Sequence, residues 1–101
     1  MQAYTLNALA HLLAQHPPVT GFIEVKRIAV QRFGHATVLT RMRRDLKPVL
    51  KQCVLISYSL ETLLAARQQG WPRVGVVIDR WRERRQSIIA DIRPEFLFCD
   101  A

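Results

Sequence analysis

The stretch QCVLISYSLETLLAARQQGWPRVGVVI, residues 52–78, contains two apolar segments separated by a segment with helical character. Residues 52–57 and 73–78 are continuously apolar rather than alternating, which is typical of strands in a parallel sheet. Ser59 is a suitable N-cap for the intervening helix, and Gly70 is suited to end it. The apolar face of that helix consists of Leu60, Leu63 and Leu64. The stretch therefore predicts a β-α-β unit.

The same pattern continues on both sides of this unit. Thr5 can cap a first helix that ends before Pro17 and Pro18, and residues 21–26 read as a strand. A helix is predicted over residues 34–49, with an apolar stripe of Leu39, Met42, Leu46 and Val49. A last helix carrying Ile88, Ile89 and Ile92 precedes a fourth strand at residues 95–99. The predicted order is α-β-α-β-α-β-α-β.

This order predicts an α/β fold with a parallel four-stranded sheet, formed by residues 1–101 as a single unit. Right-handed crossovers allow two architectures: a curved half-barrel with helices outside, resembling part of a TIM barrel, or a flat three-layer α/β sandwich. A complete eight-stranded barrel takes about 250 residues, whereas this chain has 101. We therefore expect a fragment or truncated member of a larger barrel, whether natural, engineered or proteolytic.

The chain is basic, with 15 Lys and Arg residues against 8 Asp and Glu, giving a formal charge of +7. Such a charge favours an anionic partner, nucleic acid included. The basic residues concentrate over residues 41–51 and 80–85, and Trp81 in the second segment could stack on a base. The alternative is that both segments are solvated surface.

No segment approaches the roughly 20 apolar residues of a membrane helix, and we expect a cytoplasmic protein with no membrane span. Cys53 and Cys99 lie in apolar strand-like segments and are expected to be buried, reduced thiols. They fall near opposite ends of their strands, which argues against a disulfide.

Functional groups of parallel α/β sheets gather where the strands end. In this chain those positions are Glu24, Lys26, Ser57, Ser59, Asp79 and Asp100. Glu24 and Lys26 are two residues apart, so both are expected on one face of their strand. The carboxylate is a ligand for a hard cation, and the ammonium can stabilise a phosphoryl oxygen. A simple surface ion pair is the alternative interpretation.

Several segments, in order, resemble the glycerophosphodiester phosphodiesterase family. Residues 4–9 (YTLNAL) resemble its P-T-L helix start, residues 22–26 (FIEVK) its hydrophobic-E-hydrophobic-K strand, and residues 54–59 (VLISYS) its S-F-D/S strand end. Residues 72–75 (PRVG) and 91–97 (DIRPEFL) resemble its third quarter. The resemblance thus extends over nearly the whole chain.

What the resemblance implies is a TIM barrel that uses a divalent metal, Mg²⁺ or Ca²⁺, to hydrolyse glycerophosphodiesters to glycerol 3-phosphate and an alcohol. On this basis Glu24 matches a metal ligand, Lys26 a catalytic residue that stabilises the substrate phosphate, and Ser57 a substrate-binding residue. Tyr58 replaces the usual Phe, and Tyr4 replaces the usual Pro.

The family's H-R-G, E-x-D and H-D segments, which carry its histidines and first metal ligands, have no counterpart in this sequence. General acid-base catalysis needs a positioned proton carrier, so we expect little or no activity from this chain and leave its enzymatic status open. Two other functions are considered: a non-enzymatic interaction module that forms homo-oligomers by covering its open sheet, and a basic nucleic-acid-binding protein.

Overall fold

The computed structural model describes residues 5–99, so that Tyr4 of the family motif and the strand-end residue Asp100 lie outside the described residues. Its helices and strands are, in chain order, α1 (Leu6–Ala14), β1 (Gly21–Glu24), α2 (Arg27–Phe33), α3 (His35–Leu46), β2 (Cys53–Ser57), α4 (Leu60–Gln68), β3 (Val74–Ile78), α5 (Ser87–Ile92) and β4 (Phe96–Cys99). Two 3₁₀ segments, Lys47–Gln52 and Trp81–Arg85, precede β2 and α5.

The four strands form one sheet in the order β1-β2-β3-β4, and every neighbouring pair is parallel. This confirms the predicted α/β class and the parallel four-stranded sheet. Glu24 pairs with Ile56, Ile56 with Gly75 and Gly75 with Phe96, so these four residues share one level across the sheet. Each strand is joined to the next through at least one helix, as a parallel connection requires.

One face of the sheet packs against α1, α3, α4 and α5 in a single apolar core. Alternate strand residues point into it, among them Ile23, Leu55 and Val76. The predicted stripe of the third helical segment is buried in the same core: Leu39, Met42, Leu46 and Val49. Because all four helices share this core, the described helices lie on one face, which favours the half-barrel over the three-layer sandwich.

The opposite face of the sheet carries an aromatic cluster. The ring of Phe22 on β1 lies 5.2 Å from that of Phe96 and 5.6 Å from that of Phe98, both on β4 and both edge-on to it. In a flat sheet β1 and β4 would stand roughly 14 Å apart, so these contacts require a sheet curved around this face. Gly75 provides the space, because an added Cβ would lie 3.0 Å from Ile56 Cγ2 and 3.3 Å from Phe96 Cβ. We call this side the concave face.

Local signals explain where several helices begin and end. The Thr5 hydroxyl accepts a hydrogen bond from the Ala8 amide at 3.1 Å, and that of Ser59 accepts from the Thr62 amide at 3.3 Å. Gly70 follows α4 with a φ of +88°, which residues with side chains rarely adopt. The predicted caps are therefore confirmed.

Two helical predictions differ from the structure. Residues Arg27–Phe33 form α2, a short helix that was not predicted and that has no buried residue. The predicted helix over residues 34–49 was wrong at its end, since α3 stops at Leu46 and continues as 3₁₀ turns. Pro48 lacks an amide hydrogen and cannot continue the α-helical bonding, which explains the change.

Within residues 5–99 the cysteines form no disulfide, and Cys53 is buried at the start of β2 whereas Cys99 is half-buried at the end of β4. Burial raises the pKa of the Cys53 thiol, an effect that the nearby Arg73 charge partly opposes. Among residues 5–99, no helix combines the length and the hydrophobicity needed to cross a bilayer.

Candidate functional site

Three side chains from three strands converge at the carboxyl end of the concave face. Glu24 ends β1, Tyr58 follows β2 and Asp79 follows β3. Each is an even number of residues from a concave-face residue of its own strand, so the alternation of strands turns all three toward that face. They line an open cavity of about 350 Å³, together with Val25, Lys26 and Arg27. We call it the strand-end cavity.

Glu24 and Lys26 form the ion pair at the centre of this cavity wall. The Lys26 ammonium lies 2.5 Å from Glu24 Oε2, and its side chain is 72% exposed whereas that of Glu24 is 32% exposed. Lys26 is the extended residue immediately before α2, so its side chain stands at a strand-to-helix turn rather than within the strand. The two side chains meet, but the predicted strand over residues 21–26 was wrong at its end, because β1 stops at Glu24. The exposed ammonium retains donors that a ligand can use.

Ser57 is not brought into this cavity. Its side chain belongs to the helix-covered face and is 1% exposed. The hydroxyl donates to the Val25 carbonyl at 3.4 Å and accepts from the Ser59 amide at 3.0 Å. These bonds tie the turn after β1 to the turn after β2. The neighbouring Tyr58 lines the cavity instead.

Arg27 is the cavity residue that sequence reasoning missed. It is exposed, and its guanidinium carbon lies 5.8 Å from the centre of the Tyr58 ring, a cation-π distance. It forms no ion pair with any side chain of residues 5–99. Its position directly after Lys26, at the first residue of a helix following a strand end, is the signal that could have identified it.

A second open cavity, of about 410 Å³, lies on the other side of Arg27. It is lined by Arg27, Val30, Gln31, His35, Ser59, Leu60 and Glu61. We call it the α2-α4 cavity. His35 is held in its wall because its Nδ1 lies 2.9 Å from the Thr62 hydroxyl, which donates to Ser59 Oγ at 3.0 Å. The Thr62 hydroxyl thus joins the His35 ring to Ser59 at the start of α4.

The strand-end cavity contains two carboxylates, those of Glu24 and Asp79, and the first is already paired with Lys26. Mg²⁺ is often bound through one or two carboxylates, with water and phosphate oxygens completing its ligands. No group of three or more His, Cys, Asp or Glu side chains within residues 5–99 is arranged to hold a metal. The predicted metal-ligand role of Glu24 stays a prediction.

The two basic segments are partly engaged in the fold. Arg43 Nη1 donates to the Gln69 carbonyl at 2.5 Å. The guanidinium carbon of Arg84 lies 4.6 Å from the Trp81 ring centre, where a stacked base would otherwise lie. Nucleic-acid binding through these segments stays a prediction.

Comparison with known proteins identifies no relative of this chain. No family model matches it, and neither does any curated protein or solved structure. The fold and the two cavities are thus the observations from which a function is proposed.

Proposed function

We propose that this chain is a member of the glycerophosphodiester phosphodiesterase family, and that its strand-end cavity binds a phosphodiester without hydrolysing it efficiently. The observation that carries the proposal is the Glu24-Lys26 pair in an open cavity at the carboxyl end of the sheet. The same two residues carry the family's E-hydrophobic-K pattern. In parallel α/β folds this end of the sheet is where ligands bind.

Charge and exposure support an anionic ligand at this place. The Lys26 ammonium and the Arg27 guanidinium both face solvent in the cavity wall. Phosphoryl oxygens accept strong, charge-assisted hydrogen bonds from such groups. Glu24 and Asp79 place two negative charges in the same wall, so we expect a weak complex rather than a tight one.

Weak turnover follows from the side chains that line the cavity. The resemblance implies that histidines carry the proton that the family's hydrolysis delivers to the leaving alcohol. No histidine of the described chain lines the strand-end cavity, and His35 belongs to the neighbouring one. We therefore expect no measurable release of glycerol 3-phosphate from glycerophosphocholine, with or without added Mg²⁺ or Ca²⁺. Robust turnover that is lost in Glu24→Ala would contradict this expectation.

Binding is tested by titrating the ¹⁵N-labelled chain with glycerophosphocholine and following amide shifts by NMR. We expect shifts confined to the turns after β1, β2 and β3, and a loss of affinity of about tenfold in Lys26→Ala. Lys51→Ala, an exposed lysine beyond the opposite end of the sheet, is the control and should bind as the wild type does. Equal affinity in Lys26→Ala and wild type would refute the proposal.

A second candidate function, self-association, is favoured by the aromatic cluster. Phe22 is 45% exposed and Phe98 is 39% exposed, although their rings line the inside of a curved sheet. Among residues 5–99, β1 and β4 are edge strands whose outer backbone groups have no strand partner. We infer that a second copy occupies this face, because a two-fold axis along the strands would bring β4 of each copy beside β1 of the other.

Light scattering at micromolar concentration tests this association. We expect a dimer for the wild type and a monomer for Phe22→Asp, which places a charge in the apolar contact. Leu12→Asp, at an exposed leucine on α1, is the matched control and should remain dimeric. A monomeric wild type, or a dimer that persists in Phe22→Asp, would rule out the concave face as the interface.

A further inference from the structure

The short helix α2 lies across the carboxyl end of the sheet rather than alongside the strands. At its first residue, Arg27, the guanidinium carbon lies 5.8 Å from the centre of the Tyr58 ring, in the turn after β2. Beyond its last residue, His35 Nδ1 lies 2.9 Å from the Thr62 hydroxyl in the first turn of α4. Both ends of α2 are thus held to the segment that follows β2.

The outward side of α2 exposes large apolar side chains. Ile28 is 74% exposed and Phe33 is exposed as well, whereas Val30 packs against the core. At the same end of the sheet, Trp81 is 56% exposed in the 3₁₀ segment that follows β3. We call this surface, residues 26–33 and 80–85, the carboxyl-end rim. Three of its large apolar side chains therefore protrude into water.

An arginine lies over each exposed ring of the rim. The guanidinium carbon of Arg32 is 5.3 Å from the centre of the Phe33 ring, and that of Arg84 is 4.6 Å from the centre of the Trp81 ring. Neither arginine forms an ion pair with a side chain of residues 5–99. Each ring thus stands beside a cation whose charge is not neutralised within the described chain.

The rim as a whole concentrates positive charge. Its two segments contain seven Lys and Arg residues and one Glu. The carboxylates of Glu24, Asp79 and Glu61 line the cavities beside it, which still leaves cations in excess at this end of the sheet. A surface of this charge is complementary to an anionic partner.

From these observations we propose that the carboxyl-end rim docks on a bilayer that contains anionic phospholipids. Ile28, Phe33 and Trp81 insert at the level of the headgroups, and Arg32 and Arg84 bind lipid phosphates beside the rings that they contact. Such binding grows with the apolar area inserted and with the attraction to anionic headgroups. Docking is independent of a phosphodiester in the strand-end cavity, and thus goes beyond the proposed function.

Two other partners match the rim less well than a bilayer does. A protein partner buries a continuous apolar centre from which charged residues are depleted, whereas the apolar side chains of the rim are interspersed with arginines. A single-stranded nucleic acid stacks its bases on aromatic faces, but a guanidinium lies over each exposed ring. Tryptophan, with its polar N–H, and arginine, with its apolar stem, both suit the boundary between lipid tails and headgroups.

Cosedimentation with vesicles tests the docking. The wild type should bind phosphatidylcholine vesicles that contain about one-quarter phosphatidylserine at least about tenfold more tightly than vesicles of phosphatidylcholine alone. Ile28→Asp and Trp81→Ala should each weaken binding to the anionic vesicles by about tenfold, because each removes an inserted apolar side chain. Arg32→Gln should weaken it by about three- to fivefold, as expected for one cation near the lipid surface.

The matched controls lie near the amino end of the sheet. Leu12→Asp places the same charge as Ile28→Asp at another exposed apolar residue, and Lys51→Gln removes one exposed cation. Both should bind the anionic vesicles as the wild type does. Tryptophan fluorescence gives a second readout, because Trp71 is buried and a shift of the emission to shorter wavelength therefore reports insertion of Trp81.

Three results would each overturn the proposal. The first is a wild type that does not bind the anionic vesicles, or that binds them no better than phosphatidylcholine alone. The second is an unchanged affinity in both Ile28→Asp and Trp81→Ala, or an equal loss in Leu12→Asp. The third is a single-stranded RNA that binds through Trp81 and Arg84 while the vesicles do not bind, which would assign the rim to nucleic acid.

Discussion

The two ends of the parallel sheet use their polar side chains in different ways. At the amino end, glutamine and arginine side chains donate hydrogen bonds to backbone carbonyls of the connecting turns. At the carboxyl end, Lys26 pairs with Glu24 and Arg27 stacks on Tyr58. The difference separates the groups that hold the fold together from the groups that remain available to a ligand.

Arg67 shows the amino-end arrangement most fully. Its Nε donates to the Ile92 carbonyl at 2.7 Å, and its Nη2 donates to the Arg93 carbonyl at 2.6 Å. Its Nη1 donates to the carbonyls of Trp71 and Pro72 at 3.0 and 2.9 Å. One guanidinium thus joins the turn before β3 to the turn before β4.

The largest expected effect comes from the same substitution made at the two ends. Arg67→Met keeps the apolar stem but removes the donors to four carbonyls, and should lower the free energy of unfolding by about 2–4 kcal/mol. Arg27→Met removes the contact with the Tyr58 ring but no ion pair among residues 5–99, and should change it by less than about 1 kcal/mol. Urea-induced unfolding followed by circular dichroism measures both. Equal losses would mean that the two ends do not differ as described.

Substitutions of Gln52 and Gln31 give a second comparison, in which the expected change in stability is smaller. Gln52 Nε2 lies 2.8 Å from the Leu13 carbonyl, 3.0 Å from that of His16 and 3.1 Å from that of Val19, and so holds the turn between α1 and β1. Gln52→Ala should cost about 1–2 kcal/mol. Gln31→Ala, on the exposed side of α2, is its control and should cost less than about 0.5 kcal/mol. The same urea assay applies, and a loss confined to Gln31→Ala would reverse the assignment.

The carboxyl-end ion pair should contribute little to stability. A double-mutant cycle with Glu24→Gln and Lys26→Met should give a coupling energy below about 1 kcal/mol, because the ammonium is largely exposed. The coupling energy should be smaller still in about 0.5 M NaCl, because salt at this concentration strongly screens the attraction between exposed charges. A coupling energy well above this, unchanged by salt, would assign the pair a structural role.

The smallest expected effect is the contribution that ionisation of the Cys53 thiol makes to stability at neutral pH. Cys53 lies at the amino end of the sheet. In the unfolded chain this thiol ionises near its ordinary pKa of about 8.5, whereas burial raises its pKa in the folded protein. The unfolded state therefore binds fewer protons above that pH, and the stability present below it is lost as pH rises toward the folded pKa. Stability should fall less steeply above pH ~8.5 in Cys53→Ala than in wild type. Identical slopes in Cys53→Ala and the wild type would contradict the assignment.

The sequence predicted the strands well because their signal is local. Residues 52–57 and 73–78 were predicted as continuously apolar strands and are observed as Cys53–Ser57 and Val74–Ile78. Thr5 and Ser59 cap through their own hydroxyls, which needs only a few neighbouring residues. Strand alternation predicted that Glu24 and Lys26 would meet, and they do, although Lys26 lies in the turn after β1.

The sequence predicted the candidate site only in part. Arg27 and Glu61 belong to one cavity although 34 positions separate them, since Glu61 comes after β2 and Arg27 before it. Neither a motif nor a periodicity connects two such residues. Ser57 and Tyr58 are adjacent, and the pattern alone did not tell which of them faces the core. That depends on the face to which the helices dock.

By itself the sequence determined the four strands, the helices other than α2, and the parallel sheet, because hydrophobic patterning and capping act over a few residues. Only the tertiary structure decided that the helices share one face, that Phe22 meets Phe96 across the sheet, and that Glu24, Tyr58 and Asp79 open into one cavity. These features depend on sheet curvature and on the packing of distant segments. No local pattern in the chain encodes either of them.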